Sequence, residues 1–321
     1  MFAFLSRGGT PATYGEPRRL RNGAATLPTE AVVRTLEAMT IEHRTYADLS
    51  APDTSGMADQ VTAQHARVAS RLAGVEACVA VMSGKGGVGK SLTSAALATA
   101  LAGEGRRTGL LDADLVGPSA ARLSGVGSSR LPVGEDGVQP AESPDGVRVM
   151  SMELLLEEGA PLAWREPASE SFVWRGAQER SALREFLADV RWGGLDVLLI
   201  DLPPGTQRLV DLHELLPALD GVLVLTIPSA ASEAAVSRSM RLAADRGVRI
   251  LGVVENMAGY ACPDCGETRP LFPGEAGRRL AEAHGTSLLG RVPFDPAAGL
   301  RAESGDLRGL VTDTAAGRVL R

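Results

Sequence analysis

The segment SGKGGVGKS, residues 83–91, constrains the fold of this chain more than any other. It has the G-x-x-x-x-G-K-S/T spacing, in which backbone N–H groups surround phosphate oxygens and the lysine reaches the β and γ phosphates. An apolar run at residues 77–82 predicts a buried strand before the loop, and an alanine-rich run at residues 91–105 predicts a helix after it. The N-terminus of that helix favours anions. This order predicts a nucleotide-binding loop with Lys90 on the phosphates and Ser91 as a ligand of Mg²⁺.

We expect the nucleotide to contact the whole loop and the start of the helix, which comprise Gly84, Lys85, Gly86, Gly87, Val88, Gly89, Lys90, Ser91 and Leu92. Lys85 is the unusual member. Its stem is expected to point away from the phosphates of its own chain, so its ammonium group is better placed to reach a nucleotide held by a facing subunit. This interpretation predicts a dimer that closes over ATP, with Lys85 and Lys90 both catalytic. The alternative is a solvated surface lysine, since most lysines are exposed.

Length and composition are typical of one large α/β unit, because 321 residues with 44% hydrophobic content can bury a full core. The formal net charge of −6 argues against a general nucleic-acid binder. No apolar run approaches the ~20 residues of a membrane span, and the opening MFAFLSRGG is too short for a signal peptide. We therefore expect a cytoplasmic protein with neither nucleic acid nor membrane as a partner.

The first part of the chain differs from the rest. Residues 1–27 lack periodicity and are predicted to be a mobile tail. Residues 28–75 are predicted to be a short helical extension, with apolar residues at helical spacing over 29–49 and 57–72. These helices either cap the main domain or recruit a partner, and burial of an amphipathic stripe favours capping. Residues 76–321 are predicted to form the ATPase domain.

Further near-continuous apolar runs predict parallel strands covered on both faces, at residues 106–115, 196–203, 221–228 and 248–257. Strands that alternate with helices predict a doubly wound, mainly parallel sheet. Such sheets bind ligands at the carboxyl ends of their strands.

Three aspartates lie at those ends. Asp201 ends the run LLID as a Walker B aspartate does and is assigned to the Mg²⁺ shell. Asp112 is expected near the same metal, and Asp114 is the candidate that orients the attacking water. The alternative is that these aspartates only cap turns or helices. Gly205, after two prolines, is placed to offer its N–H to the γ phosphate.

The sequence ACPDCG places Cys262 and Cys265 two residues apart. Two thiolates can hold one side of a metal centre, but a zinc site or a cubane cluster needs four. A symmetric dimer would supply the other two. A redox pair is the alternative, although that motif belongs at a helix N-terminus. Cys78 is interpreted as a small core residue.

The loop GKGGVGKS resembles the signature-lysine branch of the P-loop ATPases, which includes MinD, ParA, the nitrogenase iron protein and the Mrp (ApbC-like) iron–sulfur carriers. Residues 76 to about 300 resemble the Mrp family in particular, through these segments in the family's order: SGKGGVGKS, LLDADLVGPS, SMELLL, VWRGAQERSALREFLADVRWGGLDVLLIDLPPGT, GVVENMAGYACPDCG and GRVPFDP.

This resemblance implies an ATP-binding homodimer that carries a bridging 4Fe–4S cluster and passes it to apo-proteins. It also implies that Asn256 reads the adenine edge, where the residues alone equally allow a turn, and that Cys262 and Cys265 hold the cluster with their symmetry mates. One departure is Gln207-Arg208, where the family usually has Gly-Asp after PPGT. The family's small N-terminal α/β domain is not recognisable in residues 1–75.

Two other functions remain open at this point. A positioning ATPase of the MinD or ParA kind would dock on membrane or DNA, although the acidic balance disfavours DNA and the C-terminal GLVTDTAAGRVLR lacks a broad apolar face. The second alternative is an ATPase whose cysteine pair holds a structural zinc at the dimer interface.

Overall fold

The structure is a computed structural model that describes residues 57–134, 136–155, 171–205 and 207–321. The predicted tail at residues 1–27 and the predicted helix at residues 29–49 lie outside the described residues.

The helices are α1 (Met57–Leu72), α2 (Lys90–Gly103), α3 (Ala120–Leu123), α4 (Ser171–Asp189), α5 (Gln207–Leu215), α6 (Ala230–Asp245), α7 (Ala276–Ala283), α8 (Pro296–Glu303), α9 (Leu307–Asp313) and α10 (Gly317–Leu320). The strands are β1 (Cys78–Ser83), β2 (Thr108–Asp112), β3 (Val133–Gly134), β4 (Gly137–Val138), β5 (Ala141–Glu142), β6 (Arg148–Met150), β7 (Val197–Asp201), β8 (Gly221–Thr226), β9 (Ile250–Ala261), β10 (Thr268–Arg269) and β11 (Leu288–Phe294).

One sheet organises the domain, with the strand order β10-β9-β8-β1-β7-β2-β6-β5 and β11 also paired with β9. The pairs from β9 across to β6 are parallel, as is the pair of β11 with β9. Antiparallel pairing occurs only at the margins of the described sheet, where β5 meets β6 and β10 meets β9. The expectation of a mainly parallel, doubly wound α/β fold is confirmed.

Alternation along β1 shows why helices cover both faces. Ala80 and Met82 belong to one buried apolar cluster, together with residues of α4, α5 and α6. Val81, between them, belongs to a second cluster that contains residues of α2, α8 and α9. Successive side chains of a strand point to opposite faces, so an uninterrupted apolar run requires a hydrophobic layer on each side of the sheet.

The register aligns the functional ends of the central strands. Asp112 at the end of β2 pairs with Asp201 at the end of β7, and Asp201 pairs on its other side with Val81 of β1. The loop after β1 therefore lies beside both aspartates. The sequence analysis did not identify β6 and β11, which are short or interrupted by Gly290 and Pro293.

Helix α1 lies over the same residues as the second predicted helix and packs on the domain. Its Val68 and Leu72 are buried in the cluster that contains α4, and Arg184 Nη1 of α4 donates to Gln64 Oε1 at 3.0 Å. Within the described ranges, no helix is both long and apolar enough to cross a membrane.

Candidate functional site

The loop between β1 and α2 has the backbone shape that its glycines allow. Gly87 (φ 75°) and Gly89 (φ 80°) occupy the left-handed region, which side chains disfavour. Gly84 is needed for a different reason, because a Cβ there would lie 2.5 Å from the backbone nitrogen of Val236 in α6. Ser83 Oγ donates to the carbonyl of Lys85 at 2.9 Å. The loop is thus held at its start and turned by glycine toward α2.

Asp201 is the centre of the site and is fully buried. Its Oδ1 accepts from Lys90 Nζ at 2.8 Å and from Ser94 Oγ at 2.9 Å, and its Oδ2 accepts from Ser91 Oγ at 2.6 Å. Lys90 is itself only 7% exposed, so the pair is a buried ion pair. The structure therefore brings together Lys90, Ser91 and Asp201. Sequence reasoning missed Ser94, although its position one turn after Lys90 was a usable signal.

Asp112 is held by backbone donors. Its Oδ1 accepts from the N–H of Asp114 at 3.1 Å, and its Oδ2 accepts from the N–H groups of Ser119 and Ala120, both at 2.9 Å. Burial, and next the negative charge of Asp201, raise the pKa of Asp112 to about 6, against the opposite effect of these N–H groups. Ser151 Oγ also donates to Oδ2 at 3.2 Å. The sequence analysis missed Ser151.

The donor set fits Mg²⁺ bound together with a nucleotide. Mg²⁺ prefers oxygen ligands and usually takes one or two carboxylates plus phosphate oxygens and water. Ser91 Oγ and the carboxylates of Asp112 and Asp201 supply oxygens at one edge of the sheet. Within the described ranges, no group of three His, Cys, Asp or Glu residues is placed to hold a metal ion, so these residues need phosphate and water to complete a metal shell.

The carboxylate of Asp114 takes part in none of the hydrogen bonds described above for Asp112 and Asp201. Its Oδ1 accepts from the N–H of Gly117 at 3.1 Å, and it lines a small cavity of about 30 Å³ with Pro203 and Arg208. The structure places Asp114 on the loop after β2 and beside the loop after β7. Its role in orienting water stays a prediction.

Arg208, the cation in the unusual Gln207-Arg208 pair, is balanced by two buried carboxylates. Its guanidinium donates to Glu179 of α4 and lies 3.6 Å from Asp211. Arg180 donates to Asp211 at 2.8 Å. These contacts tie the first turn of α5 to α4 next to the cavity that Asp114 lines, and the sequence did not reveal them.

Asn256 contacts the phosphate-binding loop directly. Its Nδ2 donates to the carbonyl of Val88 at 2.8 Å, and it lines an apolar cavity of about 130 Å³ beside Leu92, Val292 and Phe294. An apolar cavity with one amide at its edge suits a purine base. The residue that follows, Met257, has a φ of 54°. The role of Asn256 in reading the adenine edge stays a prediction.

Lys85 and Gly205 flank the loop on its outer side. Lys85 is exposed, which fits both a lysine that reaches a facing subunit and a solvated surface lysine, so its role stays a prediction. The N–H of Gly205, at φ 112°, donates to the carbonyl of Ser83 at 3.3 Å, so in this conformation it is engaged by the protein.

The cysteine pair lies in the turn between β9 and β10. The N–H of Cys262 donates to Glu267 O, and the N–H of Gly266 donates to Cys262 O, both at 2.9 Å. Cys262 is half-buried and Cys265 is exposed. Backbone N–H groups of Cys265 and then Asp264 lower the pKa of Cys262, although the turn is not a helix N-terminus.

Cys78 has a different environment. It is buried in β1, and burial, with a smaller contribution from Asp220, raises its pKa to about 12. Its interpretation as a core residue is confirmed.

The fold and the site define a class. A glycine-rich loop between a central strand and a helix, with its lysine on a buried strand-end aspartate, occurs here in a MinD/ParA-like P-loop NTPase fold. Residues 74–316 match the family described as "ParA: NUBPL iron-transfer P-loop NTPase". The chain belongs to this family of NUBPL iron-transfer P-loop NTPases.

The names of similar proteins agree with this family assignment. The chain is 39% identical over 249 residues to the "Iron-sulfur cluster carrier protein" of Saccharolobus solfataricus, covering 77% of this chain and 81% of the relative. It is 39% identical over 231 residues to the human "Cytosolic Fe-S cluster assembly factor NUBP2", covering 70% and 82%. Among solved structures, the nucleotide-binding protein of Archaeoglobus fulgidus in complex with ADP has a TM-score of 0.64 and 32% identity, covering 76% of this chain and 92% of that one.

Proposed function

We propose that this protein is an ATP-hydrolysing iron–sulfur cluster carrier of the Mrp (ApbC-like) kind, which works in the cytoplasm as a homodimer. In this proposal it binds a 4Fe–4S cluster as cargo and transfers it to apo-proteins. The observation that carries the proposal is the accessible thiol pair, Cys262 and Cys265, at the end of the strand that also contains Asn256. The names of the relatives support the nature of the cargo.

The thiol count is the argument for a dimer. A cubane held by cysteine alone needs four thiolates, and Cys262 and Cys265 are the accessible cysteines of the chain, because Cys78 is buried. A second copy would supply the missing pair across a two-fold axis. The exposure of Lys85 on the same chain supports closure over a partner's nucleotide.

ATP would change the contacts of Asp201. Lys90 now neutralises this buried carboxylate at 2.8 Å, and phosphate oxygens would compete for the same ammonium group. Mg²⁺, when bound, would supply positive charge beside Asp201 and Asp112. Asn256 would orient the base, and Asp114 would orient the attacking water.

Strand β9 supports a link between the two halves of the chemistry. Asn256 contacts the phosphate-binding loop, and the strand continues to Ala261, directly before Cys262. A displacement of Val88 on nucleotide binding would act on Asn256 and, six residues later, on the cysteine turn. Hydrolysis would then signal loading or release of the cluster.

The first experiment is anaerobic reconstitution with iron and sulfide, read by visible absorbance and by metal content. We expect thiolate-to-iron absorption with about four irons per dimer. The absorption should be lost in Cys262→Ala/Cys265→Ala and retained in the matched control Cys78→Ala. Tightly bound zinc without a stable cluster would replace the carrier proposal with a structural zinc at the dimer interface.

The second experiment tests the coupling. Cluster transfer to an apo iron–sulfur protein is measured with and without ATP, for the natural protein and for Lys90→Ala. We expect ATP to change the transfer rate only in the natural protein. Equal rates in all four measurements would refute the coupling while leaving the carrier function intact.

A further inference from the structure

A basic groove lies at the edge of the sheet opposite the nucleotide site. Four arginines, Arg67, Arg71, Arg148 and Arg191, line two adjoining cavities of about 890 and 730 Å³, which share three of them. The groove runs between the C-terminal ends of α1 and α4. The register places Arg148, the first residue of β6, level with Leu198, and Asp201 lies three residues further along β7, which is about 10 Å along the strand. We call this surface the arginine groove.

The described lining of the groove carries an excess of positive charge, with four arginines against two aspartates. Arg67 pairs with Asp189, but in the part of the chain that the structure describes, no carboxylate lies within ion-pair distance of Arg71, Arg148 or Arg191. The other acidic residue that lines the cavities is Asp136, whose backbone carbonyl and not its carboxylate accepts from Arg71. The chain as a whole carries a net charge of −6. A local excess of arginine on such a chain focuses a positive field at one place.

Two of the guanidinium groups are fixed in place by neutral acceptors. Arg71 donates to the carbonyls of Ala188 at 3.0 Å and Asp136 at 2.9 Å. Arg148 donates to the carbonyl of Trp192. Gly193 leaves room beside Arg148, because a Cβ there would lie 2.8 Å from its Nη1. Carbonyl bonds hold a guanidinium without cancelling its charge, so these groups are already oriented before any ligand arrives.

Part of this arrangement has a structural explanation, since Arg71 caps the C-terminus of α4 through the carbonyl of Ala188. That explanation does not extend to Arg191, which is exposed and whose side chain forms no hydrogen bond or ion pair with the other described residues. The capping of α4 by Arg71 also does not explain why Arg148 lines the same cavity.

We propose that the arginine groove is a docking site for an acidic, extended peptide segment of a partner protein. Arginine forks match carboxylates in pairs, and adjoining cavities of this size exceed the needs of a single small anion. Binding pockets for compact small molecules are mostly apolar, whereas this groove is lined by guanidinium groups and backbone carbonyls. Nucleic acid is disfavoured, because the lining residues that the structure describes include no aromatic side chain for base stacking.

Fluorescence anisotropy with a labelled oligoglutamate peptide tests the proposal on the full chain. We expect saturable binding that weakens as salt is raised. Arg191→Glu should weaken it about fivefold, and Arg191→Glu/Arg148→Gln about tenfold or more. Because the side chain of Arg191 has no hydrogen bond or ion pair within the described residues, its variant tests the groove even if replacement of Arg148 disturbs the fold.

The matched control is Arg238→Glu/Arg249→Glu, which removes two exposed arginines of α6 and the loop after it. It should change the affinity less than twofold. An equal loss in this control would show a general charge effect and overturn the proposal. Competition by inorganic phosphate at low concentration would reassign the groove to small anions, and tighter binding of single-stranded oligothymidylate at the same salt would reassign it to nucleic acid. Either result also overturns the proposal.

Discussion

The ion pair between Arg208 and Glu179 allows a quantitative test of how this protein stabilises Arg208, the cation that follows the PPGT segment. Glu179 is 9% exposed at its side chain, Arg208 is 30% exposed, and this guanidinium is the hydrogen-bond partner that Glu179 has within the described residues. Removing one partner of a buried pair costs about 3–5 kcal/mol, because the remaining charge is left uncompensated. Arg208 is partly solvated, so we expect Arg208→Met to lower the free energy of unfolding by about 3 kcal/mol. Asp211, the other carboxylate near Arg208, would still form its ion pair with Arg180 at 2.8 Å.

Urea denaturation of four proteins checks this value: the natural chain, the two single variants and Glu179→Met/Arg208→Met. The double variant should lose about 1 kcal/mol or less, since replacing a whole buried pair by apolar side chains is often neutral. The melting temperature of Arg208→Met should lie roughly 6–12 °C below that of the natural chain. The control Arg278→Met, from an exposed pair with Glu275, should cost less than about 1 kcal/mol. If the two single losses simply add in the double variant, the pair is not coupled and the reasoning is wrong.

Three further outcomes are expected. The raised pKa of Asp112, about 6 against an ordinary 3.8, means that the folded protein binds this proton more tightly than the unfolded chain. Without Mg²⁺ the free energy of unfolding should therefore fall by about 3 kcal/mol as pH rises from 3.8 to about 6. Asp112→Asn should remove this dependence of the unfolding free energy on pH, which urea titrations at several pH values measure. An unchanged pH dependence in the variant would assign it to other groups. Iodoacetamide should modify Cys262, whose pKa is lowered, well before buried Cys78 with its pKa of about 12. Mass spectrometry of the peptides measures this, and equal rates would contradict the assigned environments. Gly84→Ala, with a Cβ 2.5 Å from a backbone nitrogen, should weaken ATP binding in calorimetry, whereas Gly86→Ala, whose nearest contact is 3.9 Å away, should not clash.

The local patterns of the sequence were enough for the core of the fold. The apolar runs at residues 77–82 and 221–228 correspond to β1 and β8 within one or two residues. Fully buried parallel strands leave a continuous apolar run that needs no partner to be recognised. Strands β6 and β11 were missed, because three residues or a run broken by Gly290 and Pro293 carry little periodic signal.

The contacts of the site were likewise predicted in part and missed in part. The glycine-lysine spacing and the strand-end aspartates predicted that Lys90, Ser91 and Asp201 would meet, and they do. The contact of Ser151 with Asp112 was not predictable from one sequence, whereas the helical spacing of Ser94 from Lys90 was a signal that the sequence analysis missed. Ser94 and Ser151 reach the aspartates only after α2 and the segment after β6 have packed against the sheet.

By itself, then, the sequence determined the class of fold, the phosphate-binding loop and the identity of the thiol pair, because these depend on residues close together along the chain. Only the tertiary structure decided the buried environment of Asp112, the balance of Arg208 by Glu179 and the assembly of the arginine groove. Each of those features includes residues that are far apart in the chain, by 29 positions for Glu179 and Arg208 and by up to 124 for Arg67 and Arg191. No local pattern indicates which distant charges a folded chain brings together. Burial and pairing of charge are properties of the packed molecule, since both depend on what excludes water from each group.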